Sequence, residues 1–270
     1  MEALDSKEIL GHYYGYLSRN TKVFPENKPV ATNIETAFRI SSRGCANKLP
    51  NFPIKTIDML LEKYTKEGDN YYDYSCGWGV RMLSTLRNKR NYYGTDPNTR
   101  LVDKLKECKA DYDKVNGTNN FADIRPQGSE IFVPEWENKM DFIFSSPPYF
   151  ALEIYNSENQ SYKEGMEYQY WLDSWFKPTV DNCKRYLKDT GTFALNIKDA
   201  KINSKVYPLE KDMVAMVLDN GFELIDTLKL KNIKRNFGSK TWDKHTMGTV
   251  DNTDENIYIF RKKWNRITSM

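Results

Sequence analysis

The sequence predicts an α/β fold built on a mainly parallel sheet, and three observations carry that expectation. From residue 51 onward, apolar stretches of strand length alternate with stretches of helical periodicity. Phe142, Ile143 and Phe144 form an unbroken apolar run, as expected of a strand covered on both faces. That run stops at Pro147-Pro148, which lack amide hydrogens and fix their own backbone angles. Ser146 and Tyr149 therefore stand at the carboxyl edge of a strand, where open α/β sheets place their ligands.

Each element has its own signal. A helix starts near Pro53, with Ile54, Ile57, Leu60, Leu61 and Tyr64 on one face, and Gly68 ends it. NYYDY is a strand, SCGWG a turn and VRMLSTLRNKR a helix. NYYGTDP is a second strand with Asp96 at its end, and Leu101 to about Val115 is helical. A short strand near Asn119 to Ala122 puts Asp123 at its tip, and the strand that ends in Ser-Pro-Pro-Tyr follows. Ala151 to about Tyr162 is too polar for core and long enough to be a functional loop. A helix over Tyr168 to Leu187, broken by Gly191, precedes the strand TFALNIKD. Leu209 to Asn220 reads as a helix, and FELIDTLKL and NIYIFRK read as strands. No domain boundary interrupts residues 51–263, so residues 46–270 read as a single domain after an arm at 1–45.

Composition bounds the function classes. A net charge of +3 does not mark a strongly basic protein, so any nucleic-acid surface must be local. Four scattered cysteines, none paired at metal-ligand spacing, suggest reduced thiols and no metal. The start lacks the apolar core of a signal peptide, and no run is apolar enough to span a membrane. The expectation is a soluble, intracellular, cytoplasmic protein without a membrane partner. In the arm, Tyr13, Tyr14 and Tyr16 precede Arg19 and Lys22, and Arg39 and Arg43 precede Gly44. The arm either covers the domain or touches nucleic acid, with tyrosines stacking and arginines on phosphates.

Proline carbonyls have no amide hydrogen competing beside them and are held rigidly. With Ser146 at the first position they form a set of acceptors able to take both hydrogens of an exocyclic amine, while Tyr149 offers a flat face to an unstacked base. A proline-rich loop with no chemistry is the alternative reading, and the upstream residues weigh against it. Asp73, Gly77 and Gly79 lie between a strand and a helix, where glycines let the backbone approach a ligand. About twenty residues on, Asp96 is placed to accept both hydroxyls of a ribose. The third glycine of the dinucleotide fingerprint is missing, and no Lys-Ser or Lys-Thr follows, so a nucleoside without phosphates fits best. Capping readings stay open for all three acids, Asp73 at its turn and Asp96 and Asp123 at helix starts.

Together, Phe52-Pro53, DYSCGWG, GTDP, ADIRP and SSPPYF resemble the amino-methylating branch of S-adenosylmethionine-dependent DNA methyltransferases, over about residues 50–263. GWGVRML followed by YYGTDPN is also similar to small methylases of phage and mobile elements, with Glu153 and Gln160-Ser161 in the long loop. The resemblance implies a Rossmann-like class I methyltransferase fold, a seven-stranded sheet with its last strand antiparallel. It implies S-adenosyl-L-methionine as cofactor, with Asp73, Gly77 and Gly79 at the methionine end, Asp96 at the ribose, Asp123 and Ile124 at the adenine, and Phe52 and Pro53 alongside. It makes Ser146, Pro147, Pro148 and Tyr149 the catalytic tetrapeptide. Within the family a first-position serine goes more often with cytosine amines, so N4 of cytosine is the leading expectation and N6 of adenine the alternative. Methylation of cytosine carbon is rejected, because no cysteine here follows a proline.

DNA is the expected partner, with the target base flipped out and the 151–162 loop closing over it. Residues 229–250 could form a small DNA-contacting insertion. Within it Lys234, Arg235, Lys240 and Trp242 combine charge with an aromatic wedge. A solvated hairpin is the competing reading. A short recognition site, reliance on partners and homodimerisation are all open. RNA or protein-amine methylation, or a noncatalytic binding subunit, are the rival functions.

Overall fold

The structure is a computed structural model and describes residues 52–152, 159–230 and 255–263. Helix α1 (Ile54–Tyr64) leads into β1 (Asn70–Asp73), α2 (Val80–Arg87), β2 (Asn91–Thr95), α3 (Thr99–Asn116), β3 (Ala122–Arg125) and β4 (Met140–Ser145). Then come α4 (Tyr168–Trp171), a π-helical turn (Leu172–Phe176), α5 (Lys177–Tyr186), β5 (Leu187–Ile197) and a hairpin of β6 (Ala200–Ile202) and β7 (Lys205–Tyr207). Helix α6 (Leu209–Asp219), β8 (Phe222–Leu230) and β9 (Glu255–Lys262) complete the described chain.

Seven strands form one sheet in the order β3-β2-β1-β4-β5-β9-β8. The pairs among β1 to β5 are parallel, and β9 runs antiparallel to both β5 and β8. Tyr71, Tyr92, Phe142, Phe144 and Ile257 face α1, α2 and α3 through Leu60, Met82 and Leu105. Tyr72, Tyr93, Ile143, Phe193 and Phe260 face the second layer, with Trp171, Phe176 and Leu209. Both faces of the central strands are covered, which is why β1, β4 and the second half of β5 read as buried runs without alternation, whereas the edge strand β8 is largely exposed. The strand order reverses between β1 and β4, so the crevice at their carboxyl ends is the topological switch point of the sheet. Asp73 and Ser145 are the last residues of those two strands.

Four local features differ from the sequence expectation. Strand β3 begins at Ala122, because Thr118 and Asn120 are engaged in closing α3: both donate to the Asp113 carboxylate, at 2.7 and 2.6 Å, after the left-handed Gly117. Asp123 therefore lies inside the strand and not at its tip. Gly191 does not stand between helix and strand; it lies within β5, where the register jumps from the Met140–Leu187 pair to the Phe142–Thr192 pair. The helix expected from Tyr168 widens at Leu172–Phe176, just before Pro178, which has no amide to donate. The β6–β7 hairpin was not anticipated; it turns on Asn203 and Ser204, both with positive φ.

Candidate active site

At the end of β1 the chain turns through Tyr74 to Gly79. The Cys76 amide donates to the Thr95 carbonyl of β2 at 3.2 Å, drawing the loop onto the neighbouring strand. Gly94 permits that approach: a Cβ there would stand 2.5 Å from the Cys76 sulfur. Sequence reading passed over this glycine. Gly77 and Gly79 have φ of +53° and +80°, a region that favours glycine. Their surroundings differ. A Cβ on Gly79 would meet Leu105 at 2.6 Å, so this glycine seats α2 against α3. A Cβ on Gly77 would meet nothing nearer than 3.8 Å, so that side of the loop is open.

Asp73 has no exposed surface, and its carboxylate is fully engaged within the protein. Oδ1 accepts from the Ser75 amide (3.2 Å) and the Ser145 hydroxyl (2.9 Å). Oδ2 accepts from Arg81 Nε (2.7 Å) and the Tyr92 hydroxyl (3.1 Å). Four donors match the capacity of an ionised carboxylate. Burial opposes the Arg81 charge, but Asp73 beside it outweighs that and holds the guanidinium well above its ordinary value.

Asp96 is half-buried after β2. It accepts from the Asn98 amide at 3.0 Å, and the Gly77 amide also hydrogen-bonds it. Burial raises its carboxyl to about 6, against the lowering effect of those amides. The capping role is taken elsewhere: the Asn98 side chain accepts from the Leu101 amide and caps α3. Asp123 is held by Arg125 through two bonds, 2.7 and 2.9 Å, and by the Trp136 indole at 3.0 Å. Ile124 is buried with Tyr92 and Leu105 on the α1–α3 face. Phe52 packs edge-on against Phe144 of β4, ring centres 5.2 Å apart. Pro53 is exposed, and its carbonyl accepts the first amides of α1.

Beyond β4, Ser146 and Pro148 are half-buried, while Pro147 and Tyr149 are buried. Phe150 has a φ of +52°, unusual for a bulky residue. Its ring is enclosed by Tyr162, Tyr168, Trp171 and Tyr207, with centres 5.0 to 5.6 Å away. This aromatic set fixes the chain just after the tetrapeptide and carries the β6–β7 hairpin. Asn196 follows Leu195, the β5 partner of Ser145; its amide donates to the Asn256 carbonyl at 3.0 Å. Asn196 Oδ1 and the Tyr74 hydroxyl are buried without hydrogen-bond partners.

The structure thus gathers Gly77, Asp96, Ser146 and their neighbours along one carboxyl rim, with Phe52 on the adjoining face. Lys234, Arg235, Lys240, Trp242 and Arg43, and Glu153 of the loop, lie outside the described residues. A depression of about 790 Å³ lined by Lys184, Asp189 and Lys262 belongs to the opposite, amino edge of the parallel strands and has no part in this rim. Sequence reading missed Arg81, Ser145, Gly94 and Asn196. The doubled serine before the prolines was the one available hint for Ser145.

These residues fit an S-adenosyl nucleoside. The open side of Gly77 gives it room, and Asp96 is an acceptor suited to a diol with no cation paired to it among the described residues.

Comparison with known proteins agrees. Residues 140–269 match the family model described as DNA methylase, of the N6/N4 type. No curated protein matches the chain. A TehB-like SAM-dependent methyltransferase from Corynebacterium glutamicum is 15% identical, with a TM-score of 0.50, over 87% of this chain and all of that one. The [4+2]-cyclase SpnF is 15% identical with a TM-score of 0.54, over 78% of this chain and 81% of that one. The cyclopropane synthase MmaA2 from Mycobacterium tuberculosis is 14% identical with a TM-score of 0.53, over 77% of this chain and 84% of that one. At such identities these structures show the Rossmann-like methyltransferase fold alone, a fold that serves diverse reactions. Across residues 140–269, just under half of its length, the chain is thus similar to the N6/N4 DNA methylases, and that match together with the shared fold supports S-adenosyl-L-methionine as its cofactor.

Proposed function

We propose that this protein methylates an exocyclic base amine in DNA, at N4 of cytosine. The observation that carries the reading is the sequence Ser146-Pro147-Pro148-Tyr149 placed directly after β4, beside the switch point of the sheet. S-adenosylmethionine supplies an activated methyl group, so the protein needs no covalent intermediate. Its own residues position and polarise. The Ser146 hydroxyl and the Pro147 carbonyl accept hydrogen bonds from the two amine hydrogens, drawing the nitrogen lone pair out of conjugation with the ring, and the one proton the nitrogen loses on methylation passes to solvent. Holding the reactants in line removes much of the barrier. Asp96 and the Gly77 turn orient the donor, with Phe52, Pro53 and Ile124 lining its site. Asp73 and Gly79 act from beneath, through the loop they shape. Asp123 would have to yield part of its Arg125 pairing to meet an amine.

The base must leave the duplex to reach this turn, and residues 151–162 are the segment that would close over it. Lys234, Arg235, Lys240, Trp242 and Arg43 are proposed to contact DNA. Residues 46–270 form the catalytic domain, 1–45 an arm and 229–250 an insertion. Transfer of labelled methyl from S-adenosylmethionine to DNA, RNA and protein tests the reading. Label in DNA alone is expected, and label only in RNA or protein would overturn it.

A further inference from the structure

We infer that Arg81 and Ser145 are positioning residues that fix the catalytic turn relative to the donor loop, acting through the buried Asp73 carboxylate. The inference rests on the proposed reading of the Ser146–Tyr149 turn. Asp73 closes β1 and Ser145 closes β4, the two strands on either side of the switch point. The Ser145 hydroxyl donates to Asp73 Oδ1 at 2.9 Å, and Ser145 is bonded directly to Ser146. Arg81, on the first turn of α2 just past Gly79, donates from Nε to Asp73 Oδ2 at 2.7 Å. Its terminal nitrogen reaches the Ser75 carbonyl of the donor loop and lies 3.4 Å from the Ser145 hydroxyl. One guanidinium and one carboxylate thus join the loop that would hold the donor to the strand that ends in the catalytic turn. All three side chains are buried: Asp73 and Ser145 have no exposed surface, and Arg81 has 8%.

The saturation of Asp73 gives the assignment its content. With four donors already engaged, its carboxylate has no lone pair left for a ligand. Its effect on methyl transfer must pass through what it holds in place. Charge-assisted bonds are short and directional, and in a buried site they are strong, so the carboxylate sets a fixed spacing between the loop and the turn. In-line transfer is sensitive to that spacing, since a shift of about 1 Å can reduce rate about 100-fold. A positioning role predicts damage to turnover with little damage to donor affinity, because the Asp96 and Gly77 contacts are untouched.

The test compares Ser145→Ala, Ser145→Thr and Tyr92→Phe in the full-length protein. The readouts are steady-state methyl transfer to DNA and calorimetric binding of S-adenosylhomocysteine. Ser145→Ala is expected to lower kcat about tenfold or more while the Kd for S-adenosylhomocysteine stays within about threefold. Ser145→Thr, which keeps the hydroxyl, is expected to recover most of the rate. Tyr92→Phe removes a different donor from the same carboxylate, on the side away from the turn, and is expected to give a smaller loss. An active wild type with Ser145→Ala at the wild-type rate would overturn this inference alone. Equal losses in Ser145→Ala and Tyr92→Phe, matched by lost cofactor affinity, would also overturn it and leave a purely structural network. If Ser145→Ala does not fold, a folded Ser145→Thr that fails to turn over would overturn it too. A wild type that binds S-adenosylhomocysteine but methylates no DNA would remove the reading of the reaction, and this inference with it.

Discussion

The Asp96 carboxylate accepts the Asn98 amide at 3.0 Å, while the Asn98 side chain, not Asp96, caps α3 through the Leu101 amide. Two acids or amides close together at a strand-to-helix turn compete for one cap. Here the division of labour is clear, and it leaves Asp96 at the rim. Asp96→Ala should therefore weaken binding of S-adenosylhomocysteine by about 1.5–3 kcal/mol, the range for hydrogen bonds to a charged group. The helix should stay intact. Calorimetry and circular dichroism on the same sample check both parts.

The same residue predicts a pH dependence. Burial raises the Asp96 carboxyl from 3.8 to about 6. The folded protein holds this proton more tightly than the unfolded chain does. The stability it contributes is therefore full below 3.8 and lost as pH rises through about 6. Ribose hydroxyls need the ionised form as acceptor, so affinity for S-adenosylhomocysteine should rise as pH passes through about 6 and then level off. Asp96→Asn should flatten that profile, and binding titrations across the range would show it.

Arg81→Met should be strongly destabilising. It removes the cation from a pair in which Asp73 is wholly buried, and breaking such a pair costs about 3–5 kcal/mol. Urea unfolding would report the loss as a lower midpoint at an unchanged slope. A variant as stable as wild type would mean that Asp73 finds another partner.

Phe150→Ala should cost about 3–5 kcal/mol, as large aromatic truncations in cores do. The ring is enclosed by Tyr162, Tyr168, Trp171 and Tyr207, and its backbone sits at φ +52°. Alanine keeps the unfavourable backbone region and loses the contacts that compensate for it. Phe150→Gly relieves the backbone alone and should be no worse than alanine, a ranking that thermal unfolding can check.

Most of the architecture was legible in the sequence because burial on both faces leaves long apolar runs. Phe142 to Phe144, stopped by Pro147, and Phe193 to Leu195 read as interior strands, although β5 in fact starts at Leu187 and runs through Gly191. What was not legible depends on partners distant in the chain. Asp113 claims Thr118 and Asn120, moving β3 downstream, and nothing local announces that choice. Arg81 reads as an ordinary helix residue until Asp73 and Ser145 are brought beside it from other strands. The rim itself was readable because turn chemistry, glycine and proline above all, is local. The network under it was not, because buried polar pairs are a tertiary property.

A double variant, Lys234→Ala with Arg235→Ala, tests the proposed DNA contact. If both side chains meet phosphates, affinity should fall at every sequence alike, and the slope of log K against log salt should become shallower by about 2. Unchanged binding would make residues 229–250 a connector.

Digesting DNA treated with the protein and S-adenosylmethionine, then identifying the methylated nucleoside by mass spectrometry, reads out both the base and the catalytic turn. N4-methyl-2′-deoxycytidine that disappears when Ser146→Ala replaces the wild type is the predicted result. N6-methyl-2′-deoxyadenosine alone would contradict the choice of base. No methylated amine from a protein that binds the cofactor would contradict the assignment of the Ser146–Tyr149 turn.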